Sequence, residues 1–213
     1  MSTQVKDQVR EPVQVRSQKR VAMILEAARS IIEEKGAAGL KMSDVADRAN
    51  ISIGSIYQYF PNKSAIVAAL AERVLEANTA KNEKILAEPP SSLVQLSHVT
   101  TELLDQYYAL MREDPVFRDI LTGYASDKEF LATEQDDTVA NRDHIFAMSK
   151  HLFREEEYDR AKLALLLIIS FGGAAAVIAS QQDAEAGKTA MSEAKAMLYA
   201  AWEVSILPLG IKR

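Results

Sequence analysis

The chain contains no cysteine and only three histidines in its 213 residues. Without cysteine it has no disulfide scaffold, no cysteine nucleophile and no thiolate metal site, which is compatible with a reducing compartment. The histidines, His98, His144 and His151, lack a supporting ligand pattern and give little reason to expect a metal. The sequence also lacks a Gly-x-Ser-x-Gly turn and a dinucleotide-binding fingerprint. We therefore expect no enzymatic activity and no cofactor.

Strand-like alternation is missing as well, whereas helical periodicity runs through the chain. Val21, Ile24, Ala28 and Ile32 mark one apolar stripe of a first helix that begins near Ser17. Later helices are predicted near 63–87, 92–113, 115–124, 127–154, 158–182 and 187–207, and Asn62 is a suitable N-cap for the first of these. The predicted fold class is all-α, with a small N-terminal domain and a larger helical bundle.

Charge is unevenly distributed along the chain. Residues 1–63 carry ten Lys and Arg against seven Asp and Glu, a net of +3, although the whole chain carries −5. A basic N-terminal third on an acidic body indicates a local anionic partner. The polar N-terminal stretch also lacks the apolar run of a signal peptide.

Residues 40–60 contain closely spaced helix signals. Met42, Val45 and Ala49 share one face of a short second helix. Asn50 suits the left-handed backbone that a sharp reversal needs, and Ser52 is a suitable N-cap for a third helix. Three helices joined in this way form a helix-turn-helix, whose third helix lies in the DNA major groove.

The third helix, SIGSIYQYF over residues 52–60, has side chains of two kinds. Helical spacing places Ile53, Ile56, Tyr57 and Phe60 toward the core, and Gly54, Ser55, Gln58 and Tyr59 outward. Small outward residues let the backbone approach a duplex, and Gln58 can hydrogen-bond adenine. Tyr57 and Tyr59 can bond phosphate through their hydroxyls. Further phosphate contacts are expected from Ser52, Arg16, Lys19, Arg20 and Lys63.

The block LKMSDVADRANISIGSIYQYFPNKSAIVAAL, residues 40–70, resembles the DNA-binding signature of the TetR/AcrR family of transcriptional regulators. Val-Ala, a turn, Ser-x-Gly-Ser-Ile-Tyr-x-Tyr-Phe and x-Asn-Lys follow in the family's order. The resemblance implies base contacts from Ile53, Gly54, Ser55 and Gln58, and phosphate contacts from Tyr57, Tyr59 and Lys63. Two positions depart from the pattern, since Lys41 stands in place of a capping Thr and Asn50 in place of Gly. Whether Ser43 takes over the phosphate contact of that Thr stays open.

The same resemblance implies a cytoplasmic homodimer that binds a palindromic operator and releases it when the C-terminal domain takes up a small molecule. The expected organisation is a flexible basic arm over 1–16, a helix-turn-helix domain over 17–62, and a ligand-binding and dimerisation domain over 63–213. A repressor is the leading interpretation. An activator and an architectural DNA-binding protein without an effector are the alternatives.

The run LALLLIISFGGAAAVIA, residues 163–179, contains no charged residue. A short membrane span is one interpretation. A helix buried on all sides, within the domain and across a dimer interface, is the interpretation we favour. The helices near 158–182 and 187–207 would then join two subunits.

Aromatic and methionine side chains of the C-terminal domain are candidates to line a pocket for an apolar or amphipathic molecule, with histidines as polar contacts. Ordinary core packing is the alternative for each. The candidates are His98, Tyr107, Tyr108, Met111, Phe117, Tyr124, His144, Phe146, Met148 and Phe171.

Overall fold

The computed structural model describes residues 13–124 and 127–210, and this part of the chain forms nine α-helices and no β-strand. The all-α prediction is therefore confirmed. The helices are α1 (Val13–Lys35), α2 (Met42–Ala49), α3 (Ile53–Tyr57), α4 (Lys63–Ile85), α5 (Leu93–Glu113), α6 (Pro115–Gly123), α7 (Lys128–Ser149), α8 (Tyr158–Ser180) and α9 (Ala184–Ser205).

The first helix is longer at its N-terminus than the sequence pattern predicted. It begins at Val13 rather than near Ser17. No glycine or proline occurs between Val13 and Lys35, so nothing in this segment opposes helix formation. Residues 13–16 of the predicted flexible arm are thus helical, which corrects that part of the prediction. Residues 1–12 of the arm lie outside the described residues.

Side chains cap the starts of several helices. Ser52 Oγ accepts the Ser55 N–H at 3.2 Å, and Asn62 Oδ1 accepts the Ala65 N–H at 2.8 Å. Each bond satisfies a backbone donor that the first helical turn leaves unpaired. Both residues were predicted caps, and both predictions are confirmed.

Buried side chains form two cores. The first joins the N-terminal helices to α5 and α6, with Ile31, Val45 and Ile56 in the same cluster as Met111 and Phe117. The second lies among α5, α7, α8 and α9 around Trp202. Because the first core is continuous, the N-terminal helices pack on the C-terminal domain rather than standing apart from it.

α7 ends at Ser149, and a 3₁₀ turn over residues 150–152 follows, where one helix through residue 154 was predicted. His144 and His151 therefore do not share a helix. His151 Nε2 lies 3.1 Å from the Pro90 carbonyl oxygen. The described residues contain no group of three or more His, Asp or Glu arranged to hold a metal.

α8 is buried on one side only. Leu165, Ile168 and Ala176 are buried, whereas Leu163, Phe171 and Ile178 are exposed. The buried face agrees with the predicted packing inside the domain, and burial of the exposed face across a dimer interface stays a prediction. By length and composition alone, Glu155–Ser180 could cross a membrane, although core helices of soluble proteins meet the same criterion.

Candidate DNA-binding surface and internal cavity

The turn between α2 and α3 depends on a left-handed residue. Asn50 has φ 52° and ψ 49°, and it is the one non-glycine residue with positive φ in the described part of the chain. Its N–H bonds to the carbonyl oxygens of Ala46 and Asp47. Asn tolerates this conformation better than other non-glycine residues, so the predicted reversal is confirmed. The side chain of Lys41, at the N-cap position of α2, makes no capping hydrogen bond, as expected for a lysine in place of a threonine.

α3 is anchored by Ile56, which is fully buried, and by Phe60 just beyond its end. Ile53 is 45% exposed and Tyr57 is 51% exposed, so the prediction that these two face the core is wrong. Ile51, just before the helix, packs against the core instead of Ile53.

Tyr59 also differs from its predicted position, since it is half-buried against the core rather than directed outward. The α-helix ends at Tyr57, and the Tyr59 N–H bonds to the Ile56 carbonyl oxygen in a tighter turn. The Phe60 N–H also bonds to the Ile56 carbonyl oxygen, at 2.9 Å, so helical spacing continues through this turn. The side that meets the core is centred on Ile56 and Phe60 and includes Tyr59 rather than Ile53.

Nine of the twelve predicted DNA-contacting residues are exposed, and the other three are half-buried. The exposed ones are Arg16, Lys19, Ser43, Ser52, Ile53, Gly54, Tyr57, Gln58 and Lys63, and the half-buried ones are Arg20, Ser55 and Tyr59. A Cβ added at Gly54 would meet nothing within 4 Å, so this surface is open. The structure thus leaves the predicted surface available to a duplex.

Two other cations of this domain are engaged internally. Arg48 donates to both carboxylate oxygens of Glu34, at 2.6 and 2.7 Å, and lowers the pKa of that carboxyl group. Lys35 lies 3.0 Å from Asp44 and likewise lowers its pKa. These ion pairs join α1 to α2, so both cations stabilise the packing of the two helices.

α6 and the turn after it contact the N-terminal helices through polar groups. Arg29 of α1 donates two hydrogen bonds to Asp114, at 3.0 and 3.1 Å. Ser64 Oγ donates to Asp127 at 2.6 Å, and Lys63 Nζ lies 5.8 Å from the centre of the Tyr124 ring. Both ends of α6 are therefore tied to the DNA-binding helices.

The C-terminal domain contains a partly open cavity of about 630 Å³, within the usual size range for small-molecule sites. Its apolar wall comes mainly from α5 and α8, with Leu103, Leu104, Leu166 and Ile169 among the lining residues. Leu121 of α6 also lines it. The helix that contacts Arg29 is therefore also part of the cavity wall.

The amide and carboxylate side chains among the described lining residues come from α4 and α7. Asn78 and Asn82 lie four residues apart on α4, and Asp137 and Asn141 lie four apart on α7. Asn141 Nδ2 donates to Asp137 Oδ2 at 2.8 Å. Burial raises the pKa of Asp137, and the hydrogen bond from Asn141 acts in the opposite direction. Asn82 Oδ1 is buried and has no hydrogen-bond partner in the described part of the chain.

Tyr107 is the one member of the predicted pocket set that lines this cavity, and all ten candidates are among the described residues. Met111, Phe117, Tyr124 and Phe146 are buried in the two cores. His98, His144 and Phe171 are exposed, and Tyr108 and Met148 are half-buried elsewhere. Large apolar side chains fill the cores because they bury the most surface there. Polar pairs at four-residue spacing were the signal that could have identified the cavity.

Known bacterial regulators resemble this chain over most of its length. The family described as bacterial regulatory proteins, tetR family, matches residues 24–70. The family described as tetracyclin repressor-like, C-terminal domain, matches residues 94–201. The two matches cover α2, α3 and most of the cavity-lining helices, whereas the cavity-lining residues of α4 lie between the two matched ranges.

Individual relatives are more distant. The HTH-type transcriptional repressor KstR of Rhodococcus jostii is 25% identical over 148 residues, 69% of this chain and 66% of the repressor, so the match spans just under two thirds of KstR. The regulator BetI of Burkholderia thailandensis is 34% identical over 74 residues, 33% of this chain and 38% of BetI. A TetR-family regulator from Streptomyces coelicolor shares the fold, with a TM-score of 0.66 over 88% of this chain and 99% of that one at 22% identity.

Proposed function

Because this chain belongs to the tetR family of bacterial regulatory proteins, we propose that it is a cytoplasmic transcriptional repressor whose homodimer binds a palindromic operator and releases it when a small molecule fills the cavity. The path of α4 is the observation that carries this proposal. The helix starts at Lys63, beside the recognition helix α3, and its residues Asn78 and Asn82 line the cavity. A ligand on this wall therefore contacts an element that also positions the DNA-binding surface.

In this proposal α3 lies in the major groove, with the exposed residues Ile53, Gly54 and Gln58 toward the bases. The first helical turn and Ser52 approach phosphate, where the partial positive charge of the helix N-terminus favours an anion. Ser55 also contacts a base, and further phosphate contacts come from Arg16, Lys19, Arg20, Ser43, Tyr57, Tyr59 and Lys63. The exposed Ile53 fits a contact with the methyl group of thymine.

The proposed dimer interface is formed by α8 and α9. Phe171 and Ile178 of α8 and Met197 and Val204 of α9 are exposed, Val204 at 74%. Large apolar side chains grouped in this way on two packed helices are typical of a subunit interface. Two copies would bury these side chains in a bundle of four helices around a two-fold axis.

Selection of bound sequences from a random duplex pool tests the function. We expect one palindromic site, with half-sites about one helical turn or a multiple apart. On that site Gln58→Ala should cost about 1–3 kcal/mol and relax base preference at one position per half-site. Lys63→Ala is the matched control, because removal of a phosphate contact weakens all sequences evenly and flattens the salt dependence.

Two results would contradict the repressor assignment. No enriched sequence, with binding that only fades as salt rises, would favour the architectural alternative. A reporter gene that gains expression when the protein occupies its operator would favour an activator.

A further inference from the structure

We propose that the cavity is built for a cationic amphipathic ligand, with a protonated amine held at Asp137 and an apolar body against α5 and α8. This inference rests on the proposed function in one respect only, since the ligand would be the effector of that repressor. It defines the chemical class of the effector from the wall that receives it.

Asp137 is the only charged side chain among the described residues that line the cavity. Its described hydrogen-bond partner is the neutral amide of Asn141, and no Lys, Arg or His in the described part of the chain forms an ion pair with it. A carboxylate that is half-buried without a cation is less favourable in the empty protein than one in water. An ammonium group on a ligand would supply the missing charge.

The same wall offers further hydrogen-bond acceptors. Asn82 Oδ1 is buried without a partner among the described residues, and Asn78 Oδ1 accepts one bond from Gln106 at 3.3 Å while retaining a second lone pair. A primary ammonium has three donors and no acceptor, which matches a cavity lined by one carboxylate and these amide oxygens.

An anionic ligand would meet the opposite situation. No Lys, Arg or His is among the described residues that line the cavity. A ligand carboxylate or phosphate would therefore lie near Asp137 with no positive group to offset the repulsion. Leu103, Leu104 and Leu166 offer the rest of the ligand a surface that favours an alkyl or ring system.

Three ligands of equal chain length separate the possibilities: decylamine, decanol and decanoate. Isothermal titration calorimetry on the full-length protein, without DNA and below the aggregation concentration of each ligand, would measure the three affinities. We expect decylamine to bind about tenfold tighter than decanol, as a charge-assisted hydrogen bond would produce, and decanoate to bind weakest.

The isosteric substitution Asp137→Asn should reduce the difference between amine and alcohol to less than about threefold, since it removes the charge and keeps the shape. Asp136→Asn is the matched control, because the exposed neighbouring carboxylate does not line the cavity. It should leave the amine preference unchanged. The ranking of the three ligands on the unaltered protein needs no variant and therefore stands even if a variant folds poorly.

Equal or tighter binding of decanoate would overturn the inference, as would an amine preference that survives Asp137→Asn. Neither result would affect the proposed repressor, because operator selection does not depend on the ligand class. Conversely, decylamine that binds as expected but leaves the operator complex intact would support the cavity chemistry and overturn the effector role.

Discussion

Asp114 contributes to the stability of the protein in two separable ways, at the junction between the DNA-binding helices and the C-terminal domain. Its Oδ1 accepts the Phe117 N–H at 3.0 Å and caps α6, and its two oxygens receive the guanidinium of Arg29. Removal of such a cap costs about 1 kcal/mol. The ion pair has side chains 37% and 16% exposed, so after solvent screening it is worth about 1 kcal/mol.

These values predict a graded series. Asp114→Ala removes cap and ion pair and should lower the free energy of unfolding by about 2 kcal/mol. Asp114→Ser keeps a capping oxygen and should cost about 1 kcal/mol, and Arg29→Ala should cost about the same. In the double mutant Arg29→Ala/Asp114→Ala the coupling energy should be about 1 kcal/mol.

Urea unfolding followed by circular dichroism would measure the series, at one fixed protomer concentration because dissociation and unfolding are linked in a dimer. Lys188→Ala, which breaks the exposed pair with Glu185, is the control and should change stability by less than about 0.5 kcal/mol. A Ser variant as unstable as the Ala variant would refute the capping argument. A coupling energy near zero would refute the contribution of the ion pair.

Two further predictions concern the turn and the cavity wall. At Asn50 the left-handed backbone should make Asn50→Ala about 1 kcal/mol less stable and Asn50→Gly nearly neutral, measured by thermal unfolding; equal losses would mean that the asparagine side chain, rather than the backbone, matters. At Asp137 burial raises the pKa above the ordinary 3.8, so the folded chain holds this proton more tightly than the unfolded chain does. This carboxyl group therefore makes stability fall as pH rises above that ordinary value. Asp137→Asn should raise stability at neutral pH relative to the parent and lose the advantage in acid, whereas a constant difference across pH would contradict the burial argument.

The predictions that were confirmed depend on local chemistry. Asn50 adopts the left-handed conformation, and Ser52 and Asn62 cap their helices, because each needs only neighbours within a few residues. The same is true of most helix bounds, which follow apolar spacing along one segment. The family signature in residues 40–70 is also local, and it placed α3 at the exposed surface.

The predictions that the structure did not match depend on the tertiary packing of the helices. Ile53 and Tyr59 exchanged their expected environments because the side of α3 that meets the core is centred on Ile56 and Phe60, which the packing of the other helices decides. Of the aromatic residues expected at a ligand site, Phe117, Tyr124 and Phe146 lie in the cores rather than in the cavity wall, because they bury the most surface there.

The sequence by itself determined the helical class, the helix-turn-helix and its caps, since hydrogen bonds and backbone preferences within one segment specify them. Only the tertiary structure decided that Asn78 and Asn82 of α4 line the same cavity as Asp137 and Asn141 of α7. Only it decided that Leu121 of α6 also lines this cavity while Asp114, the cap of α6, binds Arg29. These residues are far apart in the chain, and each helix alone has no preference for the other. Their proximity arises when apolar faces on several helices are buried together, which is a property of the whole fold.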